Sequence, residues 1–247
     1  PAAAVKRFAQ KHPHKMMKPW PESGSKARVA HMEQGDFYGS ETSTTIDSPC
    51  TFRIEFRGKD ALFLLVLLQL FILPEVLIVE HDAFEDDRGF LMEAYHESEF
   101  ARYADLGLPS SFVQLNHSRS AKGVTRGLHF QWQPPMGKYM RVARGAAFLV
   151  AVDIRPGSPP LGQHVSVVAD DENHLAMWAP ACFARGFATL SDEVDLEYLI
   201  TGNYNGAAES GIAWNDPELG IDWPVEQPTV SARDGSAQTL AQWLARP

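Results

Sequence analysis

The sequence is poor in cysteine, with only Cys50 and Cys182 among its 247 residues. The two cysteines lie in segments of very different composition, and their spacing matches neither a disulfide framework nor a zinc knuckle. This usage favours a protein of the reducing cytoplasm.

Basic residues are also few compared with acidic residues. Lys and Arg together number 22 against 31 Asp and Glu, which gives a formal net charge of -9. This balance argues against a nucleic-acid partner, because phosphate neutralisation needs a face rich in lysine and arginine. A small anionic substrate remains possible through local arginines.

A membrane-spanning run is missing as well. The longest apolar stretch, residues 61–73, ends at Pro74 and is shorter than the roughly 18–20 residues that a helix needs to cross a bilayer. It begins too late in the chain for a signal peptide. We therefore expect a buried segment and no membrane partner.

Two kinds of cofactor site are not indicated. No glycine-rich dinucleotide loop follows a predicted strand, so a nicotinamide cofactor is not expected. The compact cluster of histidines and a carboxylate that a metal-binding β-barrel needs is not found either. The sequence predicts a protein that works without a cofactor and without a metal.

The chain divides into two parts of different character. Residues 1–60 mix Pro, Ser, Gly, Lys and His with little periodicity, and the chain begins at Pro1 rather than at a methionine. We therefore predict residues 1–66 to be an irregular or non-native extension. Residues 67–247 are predicted to form one domain.

After Pro74 the chain consists mainly of short runs rich in β-branched and aromatic residues, separated by turn residues. Ten such runs with few helices between them predict an all-β antiparallel sandwich or barrel. Two short peripheral helices are expected, over Ser98–Leu106 with Ser98 as its cap and over Ser236–Ala245.

The stretch 123–131, Gly-Val-Thr-Arg-Gly-Leu-His-Phe-Gln, carries a few polar groups in an otherwise apolar strand. Its histidine, His129, is the first candidate for chemistry. A lone histidine in such a strand is more often a hydrogen-bonded core residue than a catalyst, so the strand by itself leaves both interpretations open.

Six short motifs occur in a fixed order over about residues 70–225. The motifs are Asp87-Arg88-Gly89-Phe90, Phe112-Val113-Gln114-Leu115-Asn116-His117-Ser118, Arg126-Gly127-Leu128-His129-Phe130-Gln131, Gly137-Lys138, Ala151-Val152-Asp153-Ile154-Arg155 and Gly211-Ile212-Ala213-Trp214-Asn215-Asp216-Pro217. Together they closely resemble the dTDP-4-dehydrorhamnose 3,5-epimerase family, which implies a cupin-like jelly roll, a homodimer and a dTDP-sugar substrate.

The resemblance implies epimerisation at C3 and C5 of a dTDP-4-keto-6-deoxy sugar through enolates, and it assigns four catalytic roles. His129 matches the base, Asp216 the carboxylate that orients it, Lys138 the cation near the keto oxygen and Tyr198 the proton donor on the opposite face. From the residues alone, Asp216 is a turn former, Lys138 an exposed strand-end lysine and Tyr198 part of the sheet packing.

The resemblance also implies a set of substrate-binding residues. Arg88 and Arg126 match arginines at the diphosphate, although Arg88 could equally be a turn residue paired with its acidic neighbours. The remaining matches are Glu93, Gln114, Asn116, Tyr204 and Arg185, the last of which stands where the family commonly has a histidine.

Arg185 and Cys182 depart from the family pattern, and these departures keep two alternatives open. One is an epimerase that acts on a single carbon of a related dTDP-keto-sugar. The other is a jelly roll that binds a nucleotide sugar without converting it.

Overall fold

The computed structural model describes residues 27–30, 43–48, 51–55 and 76–246. Strands dominate this part of the chain, as the sequence predicts. They are β1 (Ala27–Ala30), β2 (Ser43–Ser48), β3 (Thr51–Glu55), β4 (Leu77–His81), β5 (Ala83–Asp86), β6 (Gly89–Met92), β7 (Gln114–Ala121), β8 (Thr125–Gln131), β9 (Lys138–Arg144), β10 (Ala146–Asp153), β11 (His164–Asp170), β12 (Leu175–Ala179), β13 (Phe183–Thr189), β14 (Glu193–Ile200) and β15 (Glu209–Gly211).

Two antiparallel sheets form the body of the domain. One has six strands in the order β1-β4-β12-β9-β14-β7, and the other has five in the order β11-β10-β13-β8-β15. Alternate residues of both sheets meet in one apolar core, for example Met140 and Leu196 from the first sheet with Leu149 and Phe187 from the second. This face-to-face packing is that of a jelly-roll sandwich, so the predicted fold class is confirmed.

The outer face of the five-stranded sheet is covered by the C-terminal part of the chain. Leu128 and Phe130 of β8 pack there against Ile212, Leu219 and Leu240. Each strand of this sheet therefore has one row of side chains against the inner core and one row against the C-terminal segment, because successive side chains of a strand point to opposite faces.

The helices are short and peripheral: α1 (Glu97–Ala101), α2 (Ala232–Gly235) and α3 (Leu240–Leu244). The predicted helix Ser98–Leu106 is α1 followed by a 3-10 turn, and its N-cap is His96 rather than Ser98. The predicted C-terminal helix begins four residues later than expected, since Thr239 rather than Ser236 caps α3. None of the helices among the described residues has the length and apolar character to cross a membrane.

The structure corrects two expectations for the first part of the chain and for its cysteines. Strands β1, β2 and β3 lie in a stretch for which the sequence predicts no regular structure, and β1 pairs with β4 at the edge of the six-stranded sheet. Cys182 is disulfide-bonded, whereas the cysteine positions predicted no pairing. The apolar run 61–73 lies outside the described residues.

A close approach between β8 and β13 fixes the geometry beside the core. The register of the pair shifts at Gly186, and a Cβ atom there would lie 2.6 Å from the carbonyl oxygen of Arg126. Only glycine lets the two backbones come this close.

We therefore expect Gly186→Ala to lower the free energy of unfolding by about 1–3 kcal/mol, the usual cost of forcing extra atoms into a packed site. Urea unfolding would measure it. Gly235→Ala is the matched control, because the nearest atom to its added Cβ is 3.7 Å away. Equal stability of the two variants would contradict the steric argument.

Candidate active site

His129 points into the space between the sheets. Its neighbours Leu128 and Phe130 pack on the outer face of the five-stranded sheet, so the imidazole between them faces inward. Its Nε2 lies 2.6 Å from Oδ1 of Asp234, and the side chain is 24% exposed. A carboxylate only accepts, so Nε2 carries the proton and Nδ1 keeps a free lone pair.

Asp234 is held in place by α2. Ser231 caps this helix by accepting a hydrogen bond from the backbone N–H of Asp234, and the aspartate is almost fully buried. Burial raises the pKa of Asp234, but the hydrogen bonds and charge of His129 and the bond to Ser231 outweigh it, so the pKa is lowered overall. The carboxylate is therefore ionised and can stabilise an imidazolium at His129.

Asp216, predicted as the partner of His129, has a different role. Its Oδ1 accepts the backbone N–H of Glu218 at 3.1 Å, and its Oδ2 accepts that of Leu240 at 2.7 Å. Both oxygens are thus engaged with the backbone, one of them at the start of α3. The sequence assignment of Asp216 was wrong: it joins two C-terminal segments, and Asp234 is the carboxylate at His129.

Lys138 and Tyr198 come from the opposite sheet. They alternate with outward residues on β9 and β14 and share the inward rows of Met140 and Leu196. The Nζ atom of Lys138 lies 5.1 Å from the centroid of the Tyr198 ring, within cation–π distance. The cation and the phenol therefore face the sheet that carries His129.

The surroundings change the acidity of both groups. Burial, and then the positive charge of Arg185, lower the pKa of Lys138 to about 8. Burial and the negative charge of Glu209 raise the pKa of Tyr198. At neutral pH the lysine is mostly a cation that can give up its proton readily, and the tyrosine is a neutral donor.

Glu209 and Arg233 were not identified from the sequence. Glu209 Oε2 accepts hydrogen bonds from the Tyr204 hydroxyl at 3.0 Å and from Arg233 Nη1 at 2.8 Å. Burial raises the pKa of Glu209, but the bonds to Arg233 and Tyr204 lower it overall. Glu209 is thus an anion beside His129, and its charge acts on Lys138 and Tyr198.

A cavity of about 280 Å³ opens next to the histidine and its carboxylate. Charged and polar side chains of β8, β15 and the C-terminal segment line it, among them His129, Glu209, Arg233, Asp234, Gln238 and Arg246. Two arginines and two carboxylates lie in its wall, and Glu209 is paired with Arg233 and Asp234 with His129.

The other predicted binding residues fall into two groups. Arg126 donates to Ser120 at 3.0 Å, and its charge reaches Tyr198. Gln114 and Asn116 lie on the edge strand β7 and bond each other at 2.7 Å; Asn116 is the strand neighbour of Tyr198. Tyr204 reaches the site through Glu209. These residues surround one end of the sandwich.

Arg88 and Glu93 are not brought to this site within the protomer. Arg88 lies in the turn between β5 and β6 with its side chain 90% exposed, and its Nε is 3.1 Å from Oδ2 of Asp86. Glu93 lies 3.9 Å from His96. Within the protomer, Arg88 is therefore a turn residue paired with an acidic neighbour, which is the alternative that the sequence left open.

One sequence signal could have pointed to the missed aspartate. Ser231-Ala232-Arg233-Asp234 has the spacing of a helix N-cap followed by an acidic third residue, and the cap is formed. That pattern predicts the start of a helix and says nothing about a partner 105 positions earlier in the chain.

The structural role of Asp216 makes a testable prediction. Asp216→Ala leaves two backbone N–H groups without their acceptor and should lower the free energy of unfolding by about 1–3 kcal/mol. Denaturant titration would measure it. Asp222→Ala removes an exposed carboxylate of the same segment and should change stability by about 0.5 kcal/mol or less; a neutral Asp216→Ala would refute this role.

Comparison with known proteins agrees with this geometry. The family model described as dTDP-4-dehydrorhamnose 3,5-epimerase matches residues 71–242. A model described as monomeric isocitrate dehydrogenase matches residues 1–93, less than half of the chain. A dTDP-4-dehydrorhamnose 3,5-epimerase of Pseudomonas aeruginosa is 45% identical over 170 residues, which cover 68% of this chain and 93% of the relative.

Two further relatives are informative. The crystal structure of a dTDP-6-deoxy-D-glucose-3,5-epimerase from Legionella pneumophila, in complex with dTDP-4-keto-L-rhamnose, has a TM-score of 0.64 and 44% identity over 68% of this chain and 88% of that one. A dTDP-4-dehydrorhamnose 3-epimerase of Streptomyces niveus is 42% identical over 64% of this chain and 75% of the relative. The chain belongs to the dTDP-4-dehydrorhamnose 3,5-epimerase family.

Proposed function

We propose that the protein inverts C3 and C5 of dTDP-4-keto-6-deoxyglucose, with His129 as the base. The observation that carries this proposal is the hydrogen bond between His129 of the five-stranded sheet and the ionised Asp234 of α2. Lys138 and Tyr198 lie in the inward rows of the opposite sheet. The family membership supplies the class of substrate.

The reaction follows from these groups. Nδ1 of His129 takes the proton from the carbon beside the ketone, the C–H electron pair forms a carbon–carbon double bond, and the carbonyl oxygen becomes negative. Asp234 stabilises the imidazolium, and the ammonium of Lys138 stabilises the oxygen. Tyr198 then donates its proton to the same carbon from the other side, which inverts the centre.

The nucleotide needs its own contacts. We assign the diphosphate to Arg126, since a guanidinium binds two phosphate oxygens at once, and the thymidine to Gln114 and Asn116. Tyr204, on the loop after β14, is 62% exposed and presents its ring at the mouth of the site. No cofactor or metal takes part in these steps.

A homodimer would supply Arg88 and Glu93, which lie outside the candidate active site within one protomer. The hairpin of β5 and β6 exposes Phe84, Phe90 and Leu91 by 58%, 53% and 74%, and the edge strand β7 is open to pairing. Exposed apolar side chains favour association, and so does an edge strand. We propose that a second copy covers this surface and that its Arg88 and Glu93 complete the binding site.

A single-carbon epimerase is the second candidate. The relative from Streptomyces niveus, named a 3-epimerase, supports it, and so does the replacement of a pocket histidine by Arg185. Both candidates use the same base, so the number of inverted carbons distinguishes them.

Two further assignments accompany the proposal. We propose the cytoplasm as the location, because a sugar carrying a charged diphosphate does not cross a membrane unaided. We also propose that the family domain spans 67–247, since the family match begins at residue 71, and that residues 1–66 are an addition to it from which β1 joins the six-stranded sheet.

The test is proton NMR of dTDP-4-keto-6-deoxyglucose incubated with the protein in heavy water. We expect two deuterons in the product, at C3 and C5, each introduced by protonation from solvent. One deuteron would favour the single-carbon epimerase. Saturable dTDP binding without exchange would favour a non-catalytic nucleotide-sugar module.

Variants of the two site residues sharpen this test. His129→Asn should slow exchange by about 10²–10⁴-fold, the usual contribution of a general base, and Asp234→Asn by about 10²-fold or more, because it removes the charge that stabilises the imidazolium. Binding of dTDP, followed by calorimetry, should persist. Asp216→Asn is the matched control and should exchange at close to the wild-type rate; the reverse ranking of the two aspartates would refute the assignment.

The dimer makes a separate prediction. Leu91→Asp should shift the protein from dimer to monomer in light scattering and lower activity, because it places a charge in the apolar interface. Leu244→Asp makes the same change at a residue that is 37% exposed on α3, in the C-terminal segment that covers the five-stranded sheet, and should remain a dimer. A wild-type monomer would rule out this assembly.

A further inference from the structure

A guanidinium is buried in the interior with part of its hydrogen-bonding capacity unused. Arg185 is 3% exposed. Its Nη2 donates to the carbonyl oxygens of Met136 and Pro180, but its Nε and Nη1 have no hydrogen-bond partner among the described residues. A buried charge without full pairing is expensive, so the unused donors indicate a missing acceptor.

The position of Arg185 indicates which groups surround the missing hydrogen-bond acceptor. Arg185 is the cross-strand partner of His129 in the pairing of β13 with β8, and paired residues project to the same face. It lies in the inward row between Phe183 and Phe187. Its charge acts directly on Lys138. Arg185 therefore lies beside His129 and close enough to Lys138 for its charge to act on the amine.

We propose that Arg185 and Lys138 form a two-cation site for the negative oxygen that appears when the C–H bond of the ketone breaks. This inference rests on the proposed function and deepens it. The acceptor is neutral in the bound ketone and charged in the enolate. The two cations therefore stabilise the enolate more than the substrate, which raises the rate constant rather than the affinity.

The arrangement also sets the acidity of Lys138. Its charged surroundings are Arg185 on β13, Glu209 on β15 and Arg233 on α2, with the Tyr198 ring against it on β14. Catalysis needs the ammonium form, so activity should fall as the pH rises through the pKa of Lys138, about 8. Removing the positive charge of Arg185 raises that pKa and moves the alkaline limb to higher pH.

Arg185→Met tests the proposal by keeping an unbranched apolar stem and removing the charged guanidinium. We expect kcat to fall by about 10²–10³-fold, the usual effect of losing one donor to a developing oxyanion, with unchanged dTDP affinity. Arg185→Lys should restore part of kcat. Thr201→Val is the matched control: it removes the acceptor for the Gly137 N–H at 2.9 Å and so loosens the same loop without changing a charge.

The pH profile distinguishes the loss of the Arg185 charge from a loosening of the loop at Gly137. Arg185→Met should move the alkaline limb to higher pH, whereas Thr201→Val should leave it in place. If Arg185→Met has its alkaline limb at the same pH as the wild type and an unchanged kcat, the proposal is overturned. A lost dTDP affinity would also overturn it, because it would assign Arg185 to the diphosphate.

A second measurement does not depend on turnover. NMR titration of the side-chain amine of Lys138, in protein with ¹⁵N-labelled lysine, should give a pKa near 8 in the wild type and a higher one in Arg185→Met. Absence of exchange in the wild type would refute the proposed function. An unchanged Lys138 titration would refute the pairing of the two cations, whatever the activity.

Discussion

The hydrogen bond between His129 and Asp234 is the contact on which the site depends. It joins β8 of the five-stranded sheet to a short C-terminal helix, and its carboxylate is ionised although almost fully buried. Such a carboxylate is tolerated only because the imidazole and the capped helix satisfy its oxygens. The tautomer of His129, and with it the nitrogen that meets the substrate, follows from this bond.

The two sheets divide the chemistry between them. Alternation along β8 sends His129 inward, and the same alternation on β9 and β14 sends Lys138 and Tyr198 toward it. A proton acceptor on one wall and a proton donor on the other are what inversion of a carbon requires. The core below them fixes the spacing, because side chains packed at this density leave the sheets little freedom to slide.

Much of the fold and part of the site could be predicted from the sequence. The existence of the strands followed from short β-branched runs between turns, and His129 and Lys138 lie within local motifs. The carboxylate could not be predicted in the same way. Asp216 and Asp234 lie in one C-terminal segment, and only the route of that segment decides that one meets a backbone and the other an imidazole. Arg88 shows a related limit, since within the protomer its turn pairs it with Asp86 and leaves its side chain exposed.

The bridge between β8 and α2 has a consequence for biosynthesis. Asp234 follows His129 by 105 positions, and Thr229, just before the helix, hydrogen-bonds to Gly123 and Thr125 beside β8. A nascent chain can therefore assemble both sheets on the ribosome while its histidine still lacks the counter-charge. The bond between His129 and Asp234 can form only after the segment past Thr229 has docked, so this carboxylate joins the histidine later than the strands of either sheet pair with one another.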